Sequence, residues 1–235
     1  MTNVSSVSPD DFAALASFAQ EKSVNFLIPG PEAPLVAGIV DYFQQHAPGI
    51  ACFGPSESAA RMEGSKTFSK DFMKKHKIPT AEYENFSSYN AARNWLDVAV
   101  HDVVIKADGL AAGKGVIIPQ NKHESHAALI EIMQDKEFGA AGDKIVIEEF
   151  LQGEEVSILS FSDGKSIKSL PPAQDHKRVG DGDTGPNTGG MGTYAPTQVV
   201  TEAELDEIER TILQPTIDGM AKDGIVTPPN TTKLG

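Results

Sequence analysis

Cysteine is nearly absent, since Cys52 is the only one among 235 residues. A lone thiol excludes a disulfide framework and a cysteine-rich zinc site, and makes a reducing compartment the default expectation. Long apolar runs are missing too: no stretch approaches the roughly 18 residues that a membrane-spanning helix needs. The first thirty residues carry no basic segment followed by an apolar one, so neither secretion nor membrane insertion is expected. The expected location is cytoplasmic. Basic residues also fall short, with 20 Lys and Arg against 33 Asp and Glu, a net charge of −13 and a pI near 4.8. A nucleic-acid binder needs the opposite balance, so neither nucleic acid nor membrane is an expected partner. There is no internal repeat and no low-complexity tract.

What is present suffices for a core: 40% of residues are hydrophobic, and the length suits one large domain or two small ones. Phe12, Leu15, Ala16 and Ala19 share one face of a helix expected over residues 10–22, capped by Ser8 or Asp10. A strand over 24–28, a helix near 35–46 and a short buried strand over 50–53 follow, the grammar of a parallel α/β sheet. Two strands and two helices cannot close a core alone, and the segment opens on a helix, as if a first strand were missing. Further helices are expected over 65–76, 89–98, 122–134 and 201–222. Strands are expected before and after a glycine-rich stretch at 109–115, over 144–149, and as a hairpin flanking Asp163-Gly164. Residues 176–193, rich in Gly, Asp, Thr and Asn, read as a long loop, and such loops in compact domains are usually functional or disordered.

Three segments carry chemistry. In VIKADGLAAGKGV, Val104 to Val116, an apolar strand bearing Lys106 enters a turn of small residues that bears Lys114. Gly109, Ala111, Ala112, Gly113 and Gly115 let backbone N–H groups approach a phosphate chain, and the lysines supply charge. Neither the P-loop pattern nor a dinucleotide fingerprint fits, because Lys114 is followed by Gly115 and Val116. Taken singly, the segment reads equally as a plain strand connection. The negative overall field repels ATP, but local lysines overcome it: a unit pair at 4 Å is worth roughly 4 kcal/mol at intermediate dielectric against about 1 in water.

In IVIEEFLQGEE, Ile145 to Glu155, a buried strand ends in carboxylates. Adenine offers an amino donor and a ring acceptor. Glu148 suits the first, the backbone N–H of Leu151 the second, and Glu155 suits ribose hydroxyls. Alone, the cluster also reads as a solvated acidic turn. In QDHKRVGDGDTGPNTGGMGTYAP, Gln174 to Pro196, a carboxylate, an imidazole and two cations precede a run of glycines. Lys177 and Arg178 can hold a carboxylate or phosphate, and Asn187, Thr188, Gly189 and Gly190 add neutral donors. His176 reads either as a general base or as a hydrogen-bonding orienter.

Together with GPEAPL (Gly30 to Leu35), FGP (Phe53 to Pro55), GSKTFSKDFM (Gly64 to Met73) and KIPTAEY (Lys77 to Tyr83), these segments resemble the phosphoribosylamine–glycine ligases of the ATP-grasp superfamily, in the eukaryotic wording. The resemblance implies a fold: an α/β chain with a partial parallel-sheet domain over residues 1–64, an incomplete α+β ATP-grasp domain over 65–224, and an unrelated tail over 225–235. It also implies an activity, the ATP-dependent joining of glycine to 5-phosphoribosylamine through a glycyl phosphate, with Mg2+ or Mn2+ beside ATP. Lys66 and Lys106 are then expected at the phosphates, the loop Gly109, Gly113, Lys114 and Gly115 closing over them, and Glu148, Leu151 and Glu155 at adenine and ribose. Asp175, His176, Lys177 and Arg178 are expected at the reacting end, with Glu32 and Asn187 to Gly190 at the substrates. Other purine-pathway domains are candidate neighbours in a longer parent chain.

Three departures from the family pattern stand beside the match. The glycine-rich turn expected near the start, the Glu-Phe-Asn and Arg-Phe-Gly-Asp-Pro-Glu segment expected to hold magnesium, and a C-terminal domain have no counterpart. No metal ligand is therefore assigned, and the chain alone is expected to bind ATP weakly and to lack ligase turnover. A non-catalytic ATP-binding or interaction isoform stays open beside the ligase, as does another ATP-grasp ligase.

Overall fold

The computed structural model describes residues 3–111, 115–182 and 184–225, with the side chains of Pro186 and Asn187 outside that description. The expectations for Gly113, Lys114 and nearly all of the tail therefore lie outside the described residues. The chain divides into two units, residues 1–64 with 163–166 and 217–235, and residues 65–162 with 167–216.

In the first unit, helix α1 (Phe12–Glu21) buries Ala16 and Ala19, as its apolar spacing predicts. Its cap is neither Ser8 nor Asp10 but Asp11, whose carboxylate accepts the Ala14 N–H at 2.9 Å. Strand β1 (Phe26–Leu27) pairs in parallel with β2 (Ala51–Cys52). The single helix expected between them is two, α2 (Glu32–Val36) and α3 (Ile39–His46). Gly38 separates them at φ +86°, a conformation that side chains rarely adopt. Val40 and Phe43 are fully buried in the core of this unit. Burial there pushes the Cys52 thiol up to about 11. Helix α4 (Glu57–Gly64) completes the unit's N-terminal part, and the backbone N–H of Glu57 donates to Asp41 at 2.6 Å.

The second unit is built on a four-stranded sheet. Helix α5 (Lys66–His76) starts at Ser65, whose hydroxyl accepts the Phe68 N–H. Strand β3 (Tyr83–Phe86) was not anticipated: its sequence YENF has no apolar alternation, and pairing with a stronger strand makes it extended. After α6 (Tyr89–Val98) come β4 (Val103–Ala107), β5 (Val116–Ile117) and α7 (Lys122–Leu129), which runs on through a π-helical turn over Ile130–Gln134. Strand β6 (Ile145–Glu149) completes the order β3-β6-β4-β5, with antiparallel pairing throughout.

Side chains alternate across a strand, so β4 and β6 each present two faces. Val103, Ile105, Ala107, Ile145 and Ile147 pack with Ala92, Leu96, Ala128, Leu129 and Ile132 of the helices. The intervening residues Val104, Lys106, Val146 and Glu148 are left for the other face. Alternation thus places a lysine and a glutamate side by side.

Beyond the sheet, β7 (Ser160–Ser162) and β8 (Ile167–Ser169) form the expected hairpin around Asp163-Gly164, shorter than its apolar runs suggest. The Asp163 carboxylate accepts the N–H groups of Ser166 and Lys165, and those bonds hold its carboxyl below the usual range. Residues 176–193 are not a loop. Strands β9 (Gln174–Gly180) and β10 (Thr184–Tyr194) form an antiparallel pair with two register shifts. Glycines and polar residues hide the alternation that marks strands, while the backbone ladder needs none of it. Helix α8 (Glu202–Ile208) follows with a capping box between Thr201 and Glu204. It leads through a π-helical turn over Glu209–Leu213 into α9 (Gln214–Lys222).

Candidate ATP site

Lys106 and Glu148 meet on the sheet face opposite the helix-packed core. Val104 stands opposite Glu148 in the ladder and Lys106 opposite Val146, so the two charged residues are diagonal neighbours. The Lys106 ammonium lies 2.9 Å from one oxygen of Glu148. Lys70, reaching from α5, lies 3.0 Å from the other oxygen. Glu148 is only 6% exposed and Lys70 only 7%, so water does not screen their pair. Lys70 also donates to the Thr80 hydroxyl at 2.7 Å and sits 5.7 Å from the ring centre of Tyr83. A buried carboxylate without a counter-charge is costly, and here each oxygen has one.

Past Glu148 the strand ends in an ordered sequence of backbone bonds. The Glu149 N–H donates to the Glu82 carbonyl and the Phe150 N–H to the Asp102 carbonyl. The Glu149 carboxylate turns back to accept the Glu82 N–H at 3.0 Å. Leu151 comes next, 64% exposed and with no hydrogen bond to its N–H among the described residues. The edge therefore offers a carboxylate and, three residues on, an open backbone donor.

The glycine stretch is tied to the start of α5. The Lys66 ammonium donates to the Gly109 carbonyl at 3.0 Å, and its backbone N–H donates to the Asp108 carbonyl at 3.1 Å. Asp108 receives the Thr67 N–H at 2.7 Å and the Ser65 hydroxyl at 3.0 Å, so its carboxylate sits against the helix N-terminus. Replacing Asp108 by Ala is expected to cost about 1–2 kcal/mol through the lost cap. A urea titration measures it as a lowered midpoint. At Gly115 a Cβ would stand 2.7 Å from that of Ala111, so the chain passes where only glycine fits.

On the β9–β10 pair the remaining expected residues gather. Lys177 pairs with Glu155 at 3.5 Å, and both border a cavity of about 480 Å³ lined also by Glu154, Val156, Ser157 and Asp175. One Asp175 oxygen is buried without a hydrogen-bond partner among the described residues. Gly190, at φ +126°, brings its backbone so close that a Cβ would stand 3.0 Å from that oxygen. The Thr188 hydroxyl donates to the Lys177 carbonyl and accepts the Gly190 N–H. The exposed ring of His176 stacks on Tyr194, with centres 5.8 Å apart. Arg178, half-buried, stands opposite Asn187 in the ladder, and Gly189 is exposed.

The structure thus joins Lys106 with Glu148, Lys66 with Gly109, and Glu155 with Lys177 and Asp175. Glu32 opens α2 in the first unit, exposed. Sequence reasoning missed Lys70, Thr80 and Asp108. A signal for Lys70 existed, because Lys66 and Lys70 are four apart and so share a helix face in GSKTFSKDFM. Among the described residues, no three His, Cys, Asp or Glu side chains are grouped to hold a metal ion. No residue is assigned to the expected Mg2+ or Mn2+. No helix of the described residues is long and apolar enough to cross a membrane.

Residues 64–227 match the family model described as phosphoribosylglycinamide synthetase, ATP-grasp (A) domain, and residues 1–63 match that of its N domain. The chain belongs to the phosphoribosylglycinamide synthetase family. Among its relatives, the bifunctional purine biosynthetic protein PUR2,5 of Pichia angusta is 60% identical over 95% of this chain and 29% of its own length. The phosphoribosylamine–glycine ligase of Agrobacterium fabrum is 51% identical over 93% of this chain and 51% of its own. The crystal structure of the ligase from Thermotoga maritima superposes with a TM-score of 0.71 at 36% identity, covering 79% of this chain and 46% of that one. The chain therefore spans about half the length, or less, of these phosphoribosylglycinamide synthetase relatives. ATP-grasp domains as a class work with ATP and a divalent metal ion. Membership sets aside the alternative of a different ATP-grasp ligase.

Proposed function

We propose that this chain carries the nucleotide-binding part of a phosphoribosylamine–glycine ligase, and that Lys106 and Glu148 both belong to its ATP site. The observation that supports this most is their juxtaposition on one sheet face, followed by the open Leu151 N–H. In this reading Lys66 and Lys106 neutralise the phosphates, and Gly109 and Gly115 border them. Glu148 accepts the adenine amino group, the Leu151 N–H donates to the ring nitrogen, and Glu155 takes the ribose hydroxyls. We divide the chain accordingly at residues 64 and 65.

The reaction follows from the same reading. A glycine carboxylate oxygen attacks the γ-phosphorus of ATP, the bond to the bridging oxygen breaks, and ADP leaves. The amine of phosphoribosylamine then attacks the acyl carbon, phosphate leaves with the bonding pair, and the amine nitrogen gives up one proton to the departing phosphate or to water. Asp175, His176, Lys177 and Arg178, with Thr188 to Gly190, are proposed for the substrates. Positioning and charge neutralisation suffice for such a transfer, and no side-chain nucleophile is needed. The 235 residues by themselves are expected to show negligible turnover in an assay of ADP release.

Binding is the direct test. A ligand that binds only the folded state raises the unfolding midpoint as its concentration exceeds Kd, so even millimolar affinity is visible. A thermal-shift titration of the chain with ATP is expected to give a rising midpoint through 10 mM, within roughly the range where such stabilisation reads. A flat response would contradict the proposal.

A further inference from the structure

We propose that Lys70 is a positioning residue that sets the carboxylate of Glu148 to accept adenine and reject guanine. The proposal rests on the reading of Glu148 as the adenine contact. Adenine presents an amino donor where guanine presents a carbonyl acceptor, so a fixed carboxylate at that edge attracts one base and repels the other. Rejection of this kind is strong only if the carboxylate cannot turn away or trade its place with another donor.

Both Glu148 oxygens are occupied, one by Lys106 at 2.9 Å and one by Lys70 at 3.0 Å. The two lysines differ in their freedom. Lys106 has a side chain 27% exposed, and the phosphates compete for its ammonium. Lys70 has a side chain 8% exposed, and its second bond runs to the Thr80 hydroxyl at 2.7 Å. When phosphates draw Lys106 away, one Glu148 oxygen opens towards the nucleotide. Lys70 keeps the other, holds the plane of the carboxylate, and leaves it charge-compensated. Phosphate capture and base reading are thereby linked through one glutamate. Without Lys70, Glu148 would retain Lys106 as its sole partner and compete with the phosphates for it. Both affinity and base choice would then suffer.

The test measures Kd for ATP and for GTP on the whole 235-residue chain by isothermal titration. The parent is expected to prefer ATP, and Lys70→Met to reduce the ATP-to-GTP preference at least tenfold. Thr80→Val, which removes the anchor of Lys70 but no charge, is expected to reduce it a few-fold. Lys106→Met is expected to weaken both nucleotides by similar factors and so keep the ratio. A parent preference that survives unchanged in Lys70→Met overturns the proposal while leaving the adenine reading intact. Should Lys70→Met fail to fold, an unchanged ratio in Thr80→Val overturns it. Equal binding of ATP and GTP by the parent overturns both the proposal and the reading beneath it.

Discussion

Lys106→Met is expected to weaken ATP binding about thirty- to hundredfold while leaving the fold in place. Truncating one member of a largely desolvated charge pair across a binding site costs about 2–5 kcal/mol, and each 1.4 kcal/mol is tenfold in Kd. The lower part of that range applies, because the Lys106 side chain is 27% exposed. The expected effect on stability is smaller, about 1 kcal/mol. Glu148 keeps its second ammonium in Lys70 at 3.0 Å, so no buried charge is stranded. Methionine retains most of the lysine stem and its packing. Isothermal titration and urea unfolding on the same preparation separate the two effects. A large loss of stability with unchanged ATP affinity would turn Lys106 into a structural residue.

Ile147→Ala is expected to destabilise the second unit by about 2–5 kcal/mol, a large part of the roughly 5–15 kcal/mol that holds a typical domain. Ile147 is fully buried on β6, between β3 and β4, and packs in the cluster with Leu129 and Ile132. Removing three carbons leaves a void that close-packed neighbours fill only in part. The next residue along the strand is Glu148, so loosening here reaches the site. Chemical unfolding of the two chains measures the loss. Leu151→Ala is the control, since a residue 64% exposed is expected to shift stability by about 0.5 kcal/mol or less. A loss under about 1 kcal/mol for Ile147→Ala would mean that the sheet core is not packed as described.

Much of the second unit was legible because its apolar residues alternate or recur at helical spacing. Val103 to Ala107 and Ile145 to Glu149 read as strands, and Tyr89 to Val98 as a helix, where the structure has them. The misreadings share a cause, which is pairing without an apolar pattern. Tyr83 to Phe86 and Gln174 to Tyr194 are strands that polar residues and glycines disguise, and only partners distant in sequence make them extended. Gly38 split a helix whose apolar spacing runs through it, because spacing does not report a left-handed φ.

The candidate site shows the same division. Lys106 and Glu148 stood out as charges in buried strands, and alternation alone puts them on one face once β4 and β6 pair. Lys70 did not stand out. Among the four lysines of residues 66–75 the spacing puts Lys70 on the face of Lys66, but burial against Glu148 comes only with the fold. Asp108 was likewise hidden, because its partners Ser65 and Thr67 lie more than forty residues away.

The central claim is that one ATP lies on this sheet face, and a crystal structure of the chain with a non-hydrolysable ATP analogue tests it most directly. The account predicts the adenine amino group on Glu148, the ring nitrogen at the Leu151 N–H, and the phosphates at Lys106. Density for the analogue elsewhere, with Lys106 still bonded to Glu148, would contradict it.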